Sequence, residues 1–167
     1  MPFHPHQAAL DVVPHYSIQP GCFLVAHPLL RGYFRRTVVL ILQDDPVSGT
    51  YGLVCNQIEP HMALHQVLQP LPDTLQQALG NKAVKHGGPV HMAVQLVSVG
   101  RNGGTPLDDT LSFNGDILQA AEKVLQNELD PSSLSLFVGA STWAPRQLQQ
   151  ELWYVVRALC GCAMEWH

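Results

Sequence analysis

The sequence predicts an α+β fold with a mixed sheet in one domain. Three observations lead there. Short apolar runs with strand periodicity are interspersed with helical patterns, without strict β-α-β alternation. At 167 residues the chain has the length of about one domain and can bury a core without staples. Its composition is 46% apolar and 13% charged, which suits an interior rather than a disordered chain.

The elements follow in order. "GCFLVAHP" (21–28) is a first strand, with Cys22, Leu24 and Ala26 on one face and Phe23, Val25 and His27 on the other. "RTVVLILQ" (36–43) is apolar on both faces, as a central strand is. The turn cluster "DDPVSG" then leads into "TYGLVCN" (50–56), so a hairpin is expected. Short helices are expected around 61–68 and at 73–79, and "MAVQLVSVG" (92–100) is the next strand. Asn114 is the expected N-cap of a helix whose stripe is Ile117, Leu118, Ala121, Val124 and Leu125. "SLSLFVGA" (133–140) is a strand. A last helix opens near Ala144-Pro145, with the stripe Leu148, Leu152, Val155, Val156 and Leu159 and a stop at Gly161. Trp153 and Tyr154 lie off that stripe. Residues 1–19 read as a loosely ordered arm and 20–167 as one domain.

Charge and cysteine usage exclude several functions. A net charge of −4 with nine Lys and Arg provides no general cationic field, so no nucleic-acid binding is expected. No run approaches the ~18 apolar residues needed to span a bilayer, and no membrane association is expected. Cys22 and Cys55 read as small buried thiols, while Cys160 and Cys162 form C-x-C rather than a zinc-type pair. A reducing, intracellular and cytoplasmic location follows, with an organelle left open for a eukaryotic source.

The sharpest catalytic reading is a serine or thiol hydrolase using Ser141 or Cys55. His86-Gly87-Gly88 resembles an oxyanion loop, and "GASTW" (139–143) a nucleophile elbow at a strand-to-helix turn. Against it, Pro89 removes an amide from the loop, and Trp143 replaces the glycine an elbow needs. No aspartate follows Ser141, where only Glu151, Glu165 and the terminal His167 remain. His61 and His65 share a helical face but lack a third ligand, and His86 and His91 flank a glycine turn. No metal site and no cofactor are expected. At that turn Gly87 and Gly88 are read as supplying unusual backbone angles, and Pro89 as directing Val90 into a strand.

Four blocks in order carry a family resemblance. "GCFLVAHPLLRGYFRRTVVLIL" holds an A-x-P-x-L turn and an F-x-R-[ST]-V strand entrance, through Ala26, Pro28, Leu30, Phe34, Arg36, Thr37 and Val38. "GTYGLVCN" contributes Gly49, Gly52, Leu53, Val54 and Asn56, "GGPV" spans 87–90, and "GASTWAPRQLQQE" contributes Gly139, Trp143, Gln147, Leu148 and Glu151. Over roughly 21–153 the chain resembles the AlgH/YqgE family of small bacterial proteins. It departs from the family pattern at Ala140, Thr142, Arg146 and Gln149. The motifs fade after Glu151, which suggests a divergent relative shortened at its C-terminus.

The resemblance implies an α+β protein with a bent, bifurcated sheet forming a pseudo-barrel, and helices packed outside. It establishes no catalytic residue, and the AlgH name implies a transcriptional regulatory role. A non-enzymatic regulatory or interaction module is therefore expected, with a protein partner and with a small-molecule ligand left open. Its binding surface is expected at Arg35, Arg36, Asn56, Trp143, Gln147 and Glu151. Gly52, Gly87, Gly88, Pro89 and Gly139 are expected to serve structure.

Overall fold

The computed structural model describes residues 18–57, 62–100 and 102–152. Ten strands arise in chain order: β1 (Phe23–Val25), β2 (Val38–Asp45), β3 (Gly49–Val54), β4 (Met62–Ala63), β5 (Ala83–His86), β6 (Gln95–Val99), β7 (Thr105–Pro106), β8 (Leu111–Phe113), β9 (Leu134–Val138) and β10 (Ser141–Trp143). Helices α1 (Leu64–Val67), α2 (Asp73–Leu79) and α3 (Ile117–Leu125) accompany them, and residues 147–152 are helical.

The strands form two sheets, ordered β1-β2-β3-β10 and β4-β5-β9-β6-β8-β7. All pairings of the first are antiparallel, whereas β5 and β9 of the second run parallel. The α+β class with a mixed sheet is therefore what the chain adopts. The bent, forked sheet implied by the resemblance takes the form of two sheets joined where β9 runs into β10. Among the described residues the strands do not close into a barrel.

Alternation along the strands explains the layering. Val39 and Ile41 of β2 pack with Val54, Trp143 and Leu148 on the outer face of the four-stranded sheet. Leu40 and Leu42 face inward and meet Leu53, Val97 and Phe137 between the sheets. On β9, Leu134 and Leu136 point the other way, into a third cluster with Leu75 and Leu79 of α2 and Ala120 and Ala121 of α3. A strand buried on both faces must be apolar at successive positions, which is why β2 reads "VVLIL".

Several expectations are corrected. Asn114 does not cap α3. It sits in the left-handed region at φ 59°, while the Asp116 carboxylate accepts from the amides of Leu118 and Gln119 at 2.8 and 3.3 Å. Leu118 and Leu125 are exposed, because α3 presents Ala120 and Ala121 to the core. The helix expected around 61–68 is a short strand followed by one helical turn. "STW" is strand β10, paired with β3, and not the start of a strand-to-helix turn. The last helix begins at 147 rather than beside Pro145, with Arg146 at φ 65° just ahead of it. Cys22 is exposed and Cys55 half-buried, so neither is a fully buried thiol. Val90 makes an isolated bridge with Ala140, and the strand after it begins only at Gln95.

Of the expected arm, Ile18 and Gln19 are described, and Ile18 packs against the outer cluster. His61, Trp153, Tyr154, the stripe residues Val155, Val156 and Leu159, the stop at Gly161, both cysteines of C-x-C, Glu165 and His167 lie outside the described residues.

Candidate functional site

The segment before β2 is held by its own backbone. Arg35 N–H donates to Gly32 O at 3.2 Å, and Thr37 closes on the Phe34 carbonyl through its amide (3.2 Å) and hydroxyl (2.8 Å). Between them Arg36 adopts φ 59°, which a branched or bulky residue tolerates poorly. The side chain of Asn56 pins this kink from the end of β3. Its Nδ2 donates to Arg36 O at 2.8 Å, and its Oδ1 accepts from Val38 N–H at 2.7 Å. A carboxamide matches a peptide group because it offers one donor and one acceptor side by side. Asn56→Asp keeps the acceptor and turns an oxygen toward the Arg36 carbonyl. It is expected to lower stability by about 1 kcal/mol in urea denaturation. A variant as stable as the parent would show that the kink holds without the clamp.

The second group lies beyond β10. Trp143 Nε1–H donates to Glu151 Oε2 at 3.1 Å, and Gln147 Nε2–H donates to Glu151 Oε1 at 2.8 Å. Gln147 Oε1 also accepts from the Ala144 amide at 2.9 Å, ahead of the helical segment. These three side chains thus complete one another across the strand-to-helix connection. Phe34 joins this group to the first, stacking on Trp143 with ring centroids 5.7 Å apart and planes 27° from parallel. Of the six expected surface residues, Asn56, Trp143, Gln147 and Glu151 are engaged within the fold. The Arg35 and Arg36 side chains are exposed and form no ion pair with any described residue.

The glycines gather at a third place. A Cβ on Gly87 would stand 2.5 Å from Leu53 Cδ2 and 2.6 Å from Gly139 O. On Gly88 it would stand 2.1 Å from the carbonyl carbon of Ala140, and on Gly139, at φ 72°, 2.6 Å from Gly88 O. Gly52 is somewhat less tight, at 2.8 Å from Leu40 O. Gly87 and Gly88 are therefore needed chiefly because two chain segments cross in contact, more than for unusual angles. Pro89 is exposed on the loop that leads away.

This crossing also holds Ser141, which is 0% exposed and donates its hydroxyl to the Gly87 carbonyl at 3.1 Å. The glycine loop and the serine do meet, but through a carbonyl where an oxyanion hole needs amide donors. The Gly87 amide is taken by Val138 O (2.9 Å) and the Val90 amide by Ala140 O (3.0 Å). Beside the crossing, Gln95 Nε2–H donates to Gly139 O at 3.2 Å, and its Oε1 accepts from the Tyr51 hydroxyl. Burial pushes the Tyr51 phenol up, against the pull of that hydrogen bond.

The Cys55 thiol donates to Leu53 O at 3.3 Å, and burial raises its pKa, offset in part by a backbone hydrogen bond and by Lys85. His86 and His91 are both exposed, and the His65 ring is occupied by Gly80 O at 2.7 Å. Among the described residues no three His, Cys, Asp or Glu side chains gather as metal ligands. No described helix is long and apolar enough to cross a membrane.

Phe34 is a site residue outside the six expected at the surface. It stands directly before the arginine pair, and its place in the F-x-R-[ST]-V block was the one signal for it.

Comparison with known proteins agrees with this architecture. A family model described as AlgH-like matches residues 23–162, so the match runs past Glu151, where the short motifs fade. A UPF0301 protein of Hamiltonella defensa is 32% identical over 139 residues, covering 78% of this chain and 72% of that protein. Another, from Streptomyces avermitilis, is 32% identical over 154 residues, covering 84% and 76%. A crystal structure from Corynebacterium diphtheriae superimposes with a TM-score of 0.62 at 28% identity, covering 81% of this chain and 71% of that one. The solution structure of the AlgH protein of Pseudomonas aeruginosa shares the fold, with a TM-score of 0.54 at 23% identity over 78% of this chain and 70% of that one.

Proposed function

The chain belongs to the AlgH-like family, and we propose that it is a non-enzymatic regulatory or protein-interaction module acting inside the cell. Arg35 and Arg36 are the residues it presents to an acidic protein partner. One observation carries this reading. Two exposed guanidinium groups, unpaired with any described residue, sit on backbone held by the Asn56 clamp and the Phe34–Trp143 stack. A guanidinium fork whose base does not move loses less entropy on binding a carboxylate. In this reading Asn56, Trp143, Gln147 and Glu151 form the frame, and the arginines form the contact.

Affinity capture with the Arg35→Ala, Arg36→Ala double variant tests it. A partner retained by the parent is expected to be lost, while the melting temperature stays unchanged, as for ordinary surface substitutions. Retention of the same partner, or a marked fall in melting temperature, would count against the arginines as contacts.

The hydrolase reading receives no support from a buried serine that donates to a carbonyl, or from a thiol kept protonated by burial. In the folded protein, iodoacetamide is expected to label exposed Cys22 readily, and Cys55 only after unfolding. A fluorophosphonate probe is expected to leave Ser141 unmodified. Fast, fold-dependent labelling of Cys55 or Ser141 would restore the enzymatic reading.

A further inference from the structure

Among the described residues, strand β1 lies at the open edge of the four-stranded sheet. Its inner pairing is regular: Cys22 O accepts from Ile41 N–H at 2.9 Å, and Ala26 N–H donates to Thr37 O at 2.9 Å. With a period of two, the N–H and C=O groups of Phe23 and Val25 point away from β2, toward the open side. The side chains of both residues are also uncovered, at 55% and 53% exposure. They share the face of Leu40, the partner of Phe23, but neither joins the cluster that Leu40 forms between the sheets. Leu29, Leu30 and Tyr33, in the connection after β1, are exposed as well. An edge that offers both free backbone groups and bare apolar side chains is a template for another strand.

Charge selects the occupant. No Asp or Glu lies between residues 12 and 43, and Arg31, Arg35 and Arg36 cluster in the connection after β1. At the opposite end, a Cβ on Gly21 would stand 3.7 Å from Asp108 Oδ2, and exposed Asp109 follows. The edge is thus acidic at its start and basic at its end. A strand laid antiparallel with the same polarity would meet opposite charge at both ends, and this chain carries such a strand itself.

We propose that β1 pairs antiparallel with β1 of a second copy about a two-fold axis at Leu24, making one continuous sheet across both copies. The proposal rests on the interaction reading above and names one partner for that surface. In this register, Phe23 exchanges both backbone hydrogen bonds with Val25 of the second copy, and the reverse. Phe23 and Val25 side chains then form cross-strand apolar pairs, and the basic connection of one copy faces Asp108 and Asp109 of the other.

The full chain should sediment as a dimer that dissociates on dilution and with added salt. Val25→Pro removes an amide that faces solvent in the single copy, a position where an edge strand tolerates proline. Both this variant and Phe23→Lys are expected to be monomeric, with unchanged circular dichroism.

Register is read by Ala26→Cys, which places the introduced thiol opposite Cys22 of the second copy in a non-hydrogen-bonded pair, at a separation a disulfide can bridge. With oxidised glutathione as acceptor of the two electrons and two protons, peptide mapping should find Cys22 of one chain linked to the introduced thiol at position 26 of the other. A monomer at high concentration, a dimer indifferent to both edge variants, or a Cys22–Cys22 link in its place would overturn the pairing. A monomer that sediments with anionic lipid vesicles would assign the patch to a membrane surface. A monomer that still captures another protein through Arg35 and Arg36 would sink the pairing while leaving the interaction reading intact.

Discussion

Gly88→Ala is expected to leave little or no folded protein. The added methyl would stand 2.1 Å from the carbonyl carbon of Ala140, 2.2 Å from its oxygen and 2.4 Å from Ser141 N. All three are backbone atoms, so no side-chain rotation relieves the clash. The segments can separate only by breaking the Val90–Ala140 bridge and the hydrogen bond from Ser141 to Gly87. A loss above about 4 kcal/mol is expected, set against a total domain stability of about 5–15 kcal/mol. Gly32→Ala is the control. Gly32 has φ 83° but nothing within 4 Å of an added Cβ, so only backbone strain of about 1 kcal/mol applies. Thermal melts followed by circular dichroism compare the two. If Gly88→Ala melts like Gly32→Ala, the crossing is looser than described, and its glycines are not required for close approach.

Trp143→Ala should be the other severe lesion, at about 3–5 kcal/mol. It removes a buried ring from the outer cluster, ends the stack with Phe34 and leaves the Glu151 carboxylate without the indole donor. Trp143→Phe separates these effects. It preserves a ring for Phe34 to stack on, losing the Nε1–H bond, at about 1 kcal/mol, and only the smaller part of the indole packing. Urea denaturation of both variants measures the difference. Equal losses would mean that the hydrogen bond to Glu151, rather than the packing, holds this region together.

Much of the framework could be read from apolar periodicity. The unbroken "VVLIL" marked β2 as buried on both faces, and the turn cluster after it marked the β2–β3 hairpin. Periodicity reports burial along one element, however, and says nothing about which element covers it. Phe23 and Val25 alternate like core residues yet stay bare, outside the cluster between the sheets. Asn114 stands where a cap is expected, and only the geometry shows that it belongs to a left-handed turn and that Asp116 is the cap.

"GASTW" misled for a related reason. A glycine after a strand and ahead of a helical stripe looks like a strand-to-helix turn. Here Gly139 instead lets the chain leave one sheet and enter the other as β10. The contacts of the candidate surface were equally hidden in one dimension. Asn56 reaches back twenty residues to Arg36 (|i−j| = 20), and Trp143 reaches Glu151 eight residues on, beyond any i, i+4 rule. The short family blocks nevertheless contain these residues, and each takes part in a contact made only in the folded chain.

The position of β10 also bears on how the protein is made. Its partner β3 pairs Gly52 with Ser141 and Thr50 with Trp143, so the strand that closes the first sheet leaves the ribosome long after the hairpin it must join. Until it arrives, the growing chain leaves the flank of β3 without its partner strand. Folding therefore waits on translation of the segment that passes between the two sheets.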